Sequence, residues 1–135
     1  MKYMLLIYND EKVIGSLQAE GKFDSLMRDC FDHVDVLARQ GKFLDAQQLD
    51  LASTAKSVRV RGGKVTALDG PFAETKEVLG GFNIIEADSM EEAIEIASHF
   101  PWAQTGTVEV RPIRDINTVR ENVHTGQAAW AKQGA

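Results

Sequence analysis

The pattern of hydrophobic and polar positions predicts a chain that alternates between strands and helices. Residues 3–8 form a continuous apolar run, which is typical of a strand covered on both faces. Over residues 24–40 apolar positions recur every three or four residues, so we predict an amphipathic helix there. Asp24 or Ser25 is expected to cap its start. The polar residues 9–22 before it are interpreted as a loop, with at most a helical turn.

A hairpin and a second strand–helix–strand unit are predicted in the remainder of the chain. Gly62-Gly63 suits a tight two-residue turn between two alternating strands, because both positions need a positive φ. The capping box formed by Ser89 and Glu92 predicts the start of a helix that ends at Pro101. Its apolar face is expected to comprise Met90, Ala93, Ile94, Ala97 and Phe100. The predicted strands are 42–49, which is weak, and 57–61, 64–68, 82–87 and 107–111.

This order of elements predicts one α+β domain over residues 1–116. Two β-α-β units in series favour a ferredoxin-like antiparallel sheet with both helices on one face. The runs at 4–7 and 82–85 are apolar on both faces, so the uncovered face of the sheet would expose large hydrophobic side chains. A second copy of the chain is the simplest cover, and we therefore expect a homodimer. Residues 117–135 are interpreted as a C-terminal tail that is partly helical or disordered.

Composition and charge argue against several classes of protein. The chain has 135 residues, of which 44% are hydrophobic and 26% charged, as expected for one globular domain. Its formal net charge of −5 disfavours nucleic acid as a partner. No apolar run approaches the roughly 20 residues that a membrane span needs, so we expect a cytoplasmic protein with no membrane partner. The single cysteine, Cys30, permits no internal disulfide and is expected to be a buried, inert thiol.

Motifs for nucleotides and metals are missing from the sequence, so we predict no cofactor and no metal site. Gly62-Gly63 and Gly80-Gly81 belong to no phosphate-binding pattern, and the three histidines lie far apart. His33 lies at the border of the apolar stripe of helix 24–40, one turn after Asp29. A carboxylate at that spacing would orient the imidazole as a general base. The alternative is an exposed ion pair on the helix surface.

The segment of residues 69–77 carries the most specific signal in the sequence. It follows a predicted strand and presents Asp69, Glu74 and Lys76 from a loop that contains a rigid Gly-Pro turn. Together with Leu-Gly-Gly-Phe at 79–82, it resembles the signature of the YCII-related proteins, in the branch named for its Asp-Gly-Pro-Phe (DGPF) motif. The resemblance extends from residue 1 to about residue 116 and includes the first strand, the hairpin and the last strand.

The resemblance has implications for both fold and function. The family's fold is the dimeric α+β barrel, in which two ferredoxin-like sheets pack face to face, in agreement with the expected homodimer. Related YCII proteins have a His–Asp pair proposed for a cleft, and some resemble lactone dehalogenases of chlorophenol pathways. Genes for the DGPF branch often lie near those for extracytoplasmic-function sigma factors, which implies a regulatory context. Asp69 matches the motif directly, and His33 is the candidate for the family's histidine.

Two functions are consistent with these residues. The first is an enzyme that acts on a small organic acid, aromatic or lactone-like, by acid–base chemistry of Asp69 and His33. In that enzyme the substrate-binding residues would be Arg59, Glu74 and Lys76. The second is a non-catalytic module that senses a small-molecule ligand or docks on a protein. A closed apolar cleft in which Asp69 and His33 converge would favour the enzyme, and an exposed loop would favour docking.

Overall fold

The computed structural model describes residues 1–125, which form a four-stranded sheet, a separate hairpin and five helices. In chain order the elements are β1 (Lys2–Asn9), α1 (Glu11–Ala19), α2 (Phe23–Arg39), β2 (Phe43–Gln48), β3 (Lys56–Arg61), β4 (Lys64–Asp69), β5 (Val78–Glu86), α3 (Met90–Ser98), α4 (Trp102–Thr105), β6 (Gly106–Pro112) and α5 (Ile116–His124). A short 3-10 turn, Ala52–Thr54, lies between β2 and β3.

The main sheet has the strand order β2-β5-β1-β6, and every neighbouring pair is antiparallel. Because β1 and β5 occupy the centre and each is followed by helices, this is a ferredoxin-like α+β fold, and the predicted fold class is confirmed. Leu5 of β1 lies opposite Asn83 of β5 and Val110 of β6, which fixes the alternation of side chains across the sheet. Among the described strands, β3 and β4 pair only with each other, outside this sheet.

Alternation along the central strands separates a buried face from a half-exposed face. On β1, Tyr3, Leu5, Ile7 and Asn9 are buried, whereas the side chains between them are only partly buried. The buried positions join one core cluster with residues of α2 and α3, so both helices lie on the same face, as predicted. On the helical side this core contains Cys30, Leu37, Ala93, Ile96, Ala97, Phe100 and Trp102.

Helix α1 contradicts the prediction that residues 9–22 form a loop. Asp10 caps the helix, since its side chain accepts a hydrogen bond of 2.9 Å from the backbone amide of Lys12. Ile14 packs against the core and supplies the burial that stabilises so short a helix. Gly15 lies inside the helix, where glycine is unfavourable, and this residue obscured the helical pattern in the sequence.

Helix α2 confirms the predicted amphipathic helix but begins earlier than expected. Its N-cap residue is Lys22, which makes no side-chain capping bond, so the proposed caps Asp24 and Ser25 are wrong. The earlier start brings Phe23 against Trp102, with the ring centroids 6.0 Å apart. Aromatic packing across the core therefore fixes the start of α2, where the sequence suggested a local hydrogen bond.

Helix α3 begins as predicted, because Ser89 Oγ accepts a hydrogen bond of 3.1 Å from the Glu92 backbone amide. Its predicted apolar face is wrong at one position, since Ile94 is 53% exposed whereas Ile96 is buried. The sheet contacts only one narrow side of this short helix, and Ile94 lies outside it. The helix also ends before Pro101, which is instead the N-cap residue of α4.

The hairpin of β3 and β4 confirms the predicted strands and turn. Gly62 and Gly63 have φ values of 57° and 76°, which the tight turn requires. Opposite residues in an antiparallel pair point to the same side, so Val58, Val60 and Val65 share one face of the hairpin. That face is uncovered in the described chain, because these three valines are 55% to 66% exposed.

The predicted C-terminal tail begins with a helix, α5. Asp115 caps it by accepting a hydrogen bond of 2.9 Å from the Asn117 backbone amide. The remainder of the predicted tail, 126–135, lies outside the described residues. Within residues 1–125 no helix combines the length and the apolar character that crossing a membrane requires.

Candidate functional site

A largely apolar cavity of about 320 Å³ lies on the helical side of the sheet. Its walls come from β1, β5, α1, α2 and the segment 46–51. A volume of this size is at the lower end of the range for small-molecule sites. The apolar side chains that line it include Ile7, Ile14, Phe23, Met27, Leu49 and Trp102.

Two glycines of β5, Gly80 and Gly81, shape the cavity where the sheet borders it. A Cβ atom on Gly81 would lie 2.7 Å from the backbone oxygen of Gln47, so the close approach of β2 to β5 requires glycine here. The pairing of β1 with β5 also shifts its register between Ile7 and Tyr8, next to this point. Glycine at position 81 therefore lets β2 lie close to β5 at the edge of the cavity.

Asn83 of β5 is the most deeply buried polar residue of the described chain and lines the cavity, with an exposed fraction of 4%. It lies opposite Leu5 and Ala46 on the neighbouring strands, and Gly81 precedes it on the same face. These neighbours offer no polar side chain, and within residues 1–125 its amide has no hydrogen-bond partner. The amide therefore retains its capacity to bind both a donor and an acceptor.

Asn9 of β1 lines the same cavity and is 9% exposed, but it has a partner. The hydroxyl of Thr105 donates a hydrogen bond of 2.8 Å to Asn9 Oδ1. The cavity is thus lined by two asparagines that differ in the hydrogen bonding of their side-chain amides. Asn9 is held by the protein, whereas Asn83 has no partner among the described residues.

The wall opposite the sheet is formed by Phe23, Met27 and Cys30 of α2 and by Trp102 of α4. The planes of Phe23 and Trp102 are inclined by 36°. Burial raises the pKa of the Cys30 thiol, and a hydrogen bond with Trp102 offsets part of that rise. Cys30 is therefore buried, as the sequence predicts, and its raised pKa favours the protonated thiol. It lies in a wall that suits a flat apolar ligand.

The charged groups at the cavity are both acidic. Glu11 Oε2 accepts a hydrogen bond of 2.9 Å from the Ala52 backbone amide, and Asp50 Oδ1 accepts one of 2.7 Å from the Leu51 amide. Both acidic residues are exposed to solvent. None of the described residues that line the cavity is Lys, Arg or His. The cavity therefore offers no cation to an anionic ligand.

His33 lies outside the cavity, in a polar cleft between α2 and α3. Its Nε2 atom lies 2.9 Å from the backbone oxygen of Ile96, a geometry in which Nε2–H donates to the carbonyl. The imidazole packs edge-on against Phe100, with the ring centroids 4.6 Å apart. No ion pair joins His33 to Asp29 in residues 1–125. His33 therefore links α2 to α3 through this hydrogen bond.

The same cleft holds Lys42 and Glu92, whose Nζ and Oε1 atoms are 3.2 Å apart. The two groups are within ion-pair distance but are not aligned for a hydrogen bond, and Glu92 Oε1 is buried without such a partner. Over residues 1–125, no group of three or more His, Cys, Asp or Glu side chains is arranged to hold a metal ion.

Asp69 ends β4 and lines neither the cavity nor the cleft. Its side chain is 84% exposed and forms an ion pair with Lys56 on the opposite strand of the hairpin. The turn that follows is held by other groups. The Gly70 amide donates a hydrogen bond of 2.7 Å to the Ala55 carbonyl, and Ser57 Oγ donates one of 2.8 Å to the Gly70 carbonyl.

Arg59, Glu74 and Lys76 are exposed and line neither the cavity nor the cleft. Arg59 lies on β3, and the other two lie in the loop between β4 and β5. That loop is attached to the sheet through Glu77, whose Oε1 accepts a hydrogen bond of 2.8 Å from Thr107 Oγ1. The loop presents its charged side chains to solvent.

The site residues predicted from the sequence do not converge in the described chain. Asp69 and His33 have different partners and line no common cavity. Sequence reasoning missed Asn83, although a signal was present. Asn83 lies in phase with Ile85 on the core-facing side of a strand, where an uncharged polar residue is unusual without a partner.

The second face of the main sheet is apolar at its centre and polar at one edge. Met4 and Leu6 of β1 lie on this face and are partly buried. At the β6 edge, Arg111 Nε donates a hydrogen bond of 3.1 Å to Glu109 Oε2, and this bond holds the pKa of Glu109 below its usual value. Partial burial and the charge of Glu109 raise the pKa of Tyr8 beside them. An apolar centre with a charged rim is typical of protein interfaces.

Comparison with known proteins gives two similarities. The sequence model of the family described as YCII-related domain matches residues 1–117, which include every residue that lines the cavity. A protein of Rhizobium meliloti (strain 1021), described as "Uncharacterized protein R00369", is 36% identical over 115 residues. That alignment spans 84% of this chain and 92% of the Rhizobium protein.

Proposed function

The chain belongs to the family of YCII-related domains, and from this premise we propose that it binds a small, largely apolar organic molecule between its sheet and helices α1 and α2. The cavity supplies an aromatic wall at Phe23 and Trp102, and it supplies the amide of Asn83 for a polar group of the ligand. Its volume of about 320 Å³ suits a molecule of one or two rings.

One observation carries this proposal: Asn83 is only 4% exposed, yet its amide has no hydrogen-bond partner among residues 1–125 and is accessible from the cavity that it lines. Polar groups inside native proteins are nearly always paired with protein atoms or with ordered water. A ligand in the cavity can supply the hydrogen bonds that the described residues do not. The position of Asn83 beside a cavity supports a role in recognition over a role in packing.

Acid–base catalysis by Asp69 and His33 has less support than ligand binding. Asp69 pairs with Lys56 on the hairpin, and His33 bonds to Ile96 in the helical layer. Both would have to leave these partners to meet at one substrate. Cys30, the residue of nucleophile type in the cavity, has a raised pKa and therefore little thiolate at neutral pH. We therefore propose binding without chemistry from this pair, as in the ligand-sensing alternative.

Fluorescence of Trp102 tests the proposed binding site. Trp130 is the other tryptophan of the chain, so a Trp130→Phe background makes the emission report on Trp102 alone. Titration with neutral single-ring compounds, toluene and benzamide, is expected to give a saturable change in emission. Ile14→Phe should weaken this response by filling the cavity, whereas Ile94→Phe on the exposed side of α3 should preserve it. The proposal fails if neither compound changes the emission.

We also propose that two copies associate through the second face of the sheet to form a dimeric α+β barrel. The apolar side chains at its centre, such as Met4 and Leu6, support this arrangement, because buried apolar surface contributes about 25 cal/mol per Å². Sedimentation equilibrium at micromolar concentration should give a mass near twice 14.9 kDa. Leu6→Glu should produce a monomer, and Ile94→Glu should leave the dimer intact. A monomeric wild-type protein would refute the proposal.

Docking on another protein, in the regulatory context of sigma-factor genes, is the second candidate function. The observation that favours it is Phe72, which is 82% exposed in the loop after β4. Exposed aromatic side chains are common centres of protein interfaces. Complementation of a strain that lacks the gene separates the two candidates. Docking requires that Phe72→Ser fails to complement, whereas ligand binding requires that Asn83→Leu fails.

A further inference from the structure

The charge of the cavity restricts the ligands that it can bind. Glu11 and Asp50 are its charged residues, and its described lining contains no Lys, Arg or His. An organic carboxylate would lose its hydration in this space without gaining a cation, which is unfavourable. An organic cation would gain little, because both acidic groups are exposed and already accept hydrogen bonds from backbone amides. Electrostatics therefore favour an uncharged ligand.

Asn83 adds a requirement for hydrogen bonding. Its side chain presents a carbonyl acceptor and an NH2 donor side by side. A ligand that only accepts, such as a ketone or an ether, would cover Asn83 Oδ1 without giving it a donor. Full pairing requires a ligand edge that carries a donor next to an acceptor. Gly81 precedes Asn83 on the same face, and both residues line the cavity, so a ligand edge can approach the amide from there.

We propose that the cavity selects an uncharged molecule of one or two rings that carries a donor next to an acceptor, as a carboxamide or a lactam does, and that Asn83 pairs with this edge. The inference rests on the proposed ligand-binding function and specifies its ligand class. The ring lies against the wall formed by Phe23 and Trp102, and its polar edge points to β5. This class differs from the small organic acid expected from the sequence.

Four ligands that share one ring test this selectivity in the Trp130→Phe background. They are benzamide, benzoate, benzylamine and toluene, and they differ in the group attached to the ring. At pH 7 we expect benzamide to bind at least about tenfold more tightly than benzoate, benzylamine or toluene, because it alone is uncharged and pairs with both atoms of the Asn83 amide. Asn83→Leu should weaken benzamide by about tenfold and leave toluene unchanged or tighter.

Asn117→Leu is the matched control, because it makes the same substitution at an exposed position of α5 and should preserve the order of affinities. If none of the four ligands binds, the proposed function itself fails. If toluene or benzoate binds as tightly as benzamide, the cavity is a binding site but the inferred ligand class is wrong. The same conclusion follows if Asn83→Leu binds benzamide as tightly as the wild-type protein does.

Discussion

The substitution Asn83→Leu is expected to make the ligand-free protein more stable. Asn83 is 4% exposed, and its amide has no hydrogen-bond partner among residues 1–125 and is accessible only in part, from the cavity, so the folded state carries part of the cost of desolvating it. Leucine removes the polar atoms. The cavity beside Asn83 provides room for the extra volume, so overpacking is not expected. A site that sacrifices stability for binding is common in natural proteins.

The magnitude follows from the state of the amide. A fully desolvated, unpaired polar group costs about 1–3 kcal/mol, and access from the cavity places Asn83 at the lower end of that range. We expect the free energy of unfolding to rise by about 1 kcal/mol. For a chain of 135 residues this corresponds to an increase in Tm of about 3–4 °C.

Urea denaturation at a fixed protein concentration is the appropriate assay, because association would otherwise change the apparent stability. Asn9→Leu is the matched contrast on the neighbouring strand. It breaks the 2.8 Å bond from Thr105 and leaves that hydroxyl unpaired, so its free energy of unfolding should fall by about 1–2 kcal/mol. Opposite signs for the two substitutions support the account. A loss of stability in Asn83→Leu comparable to that in Asn9→Leu would show that the Asn83 amide is satisfied in the folded protein.

Three further predictions concern other parts of the structure. Gly81→Ala should destabilise the protein by about 1–3 kcal/mol in urea denaturation, since its Cβ would lie 2.7 Å from a backbone oxygen, whereas Gly80→Ala, with its nearest atom at 3.9 Å, should be nearly neutral. At pH 8 Cys30 should react with iodoacetamide far more slowly than a free thiol does, because its raised pKa lowers the thiolate fraction. The reaction should become faster as the pH rises. A rate at pH 8 equal to that of a free thiol would refute this prediction. His33→Leu should lower the free energy of unfolding by about 1–2 kcal/mol, because the hydrogen bond to Ile96 is lost. The same substitution should leave the affinity for benzamide unchanged, and weaker binding would show that His33 contributes to the ligand site.

The elements that the sequence predicts well are those whose signals are local. The periodicity of α2 and the Gly62-Gly63 turn each depend on residues close together in the chain, and both are confirmed. Helix α1 was missed because Gly15 weakens its pattern, and its stability comes from packing of Ile14 against a distant core. Tertiary packing therefore stabilises α1, although the local sequence pattern does not predict a helix there.

The candidate site depends on contacts between distant segments, which a single sequence does not specify. The position of Asn83 on the core-facing side of β5 follows from alternation. Its lack of a partner follows from Gly81 on the same strand and from Ala46 and Leu5 on two others, and only the sheet register reveals these neighbours. The expected convergence of Asp69 with His33 failed to appear for the same reason, since the hairpin pairs outside the main sheet.

Contact between the Asn83 amide and a ligand in the cavity can be observed by NMR of the side-chain NH2 groups. In an ¹⁵N-labelled sample the pair of Asn83 signals is identified by its loss in Asn83→Leu. We predict that addition of benzamide shifts this pair in a saturable manner, while the NH2 signals of Asn117 remain in place. Unchanged Asn83 signals at a benzamide concentration that saturates the Trp102 response would contradict the account.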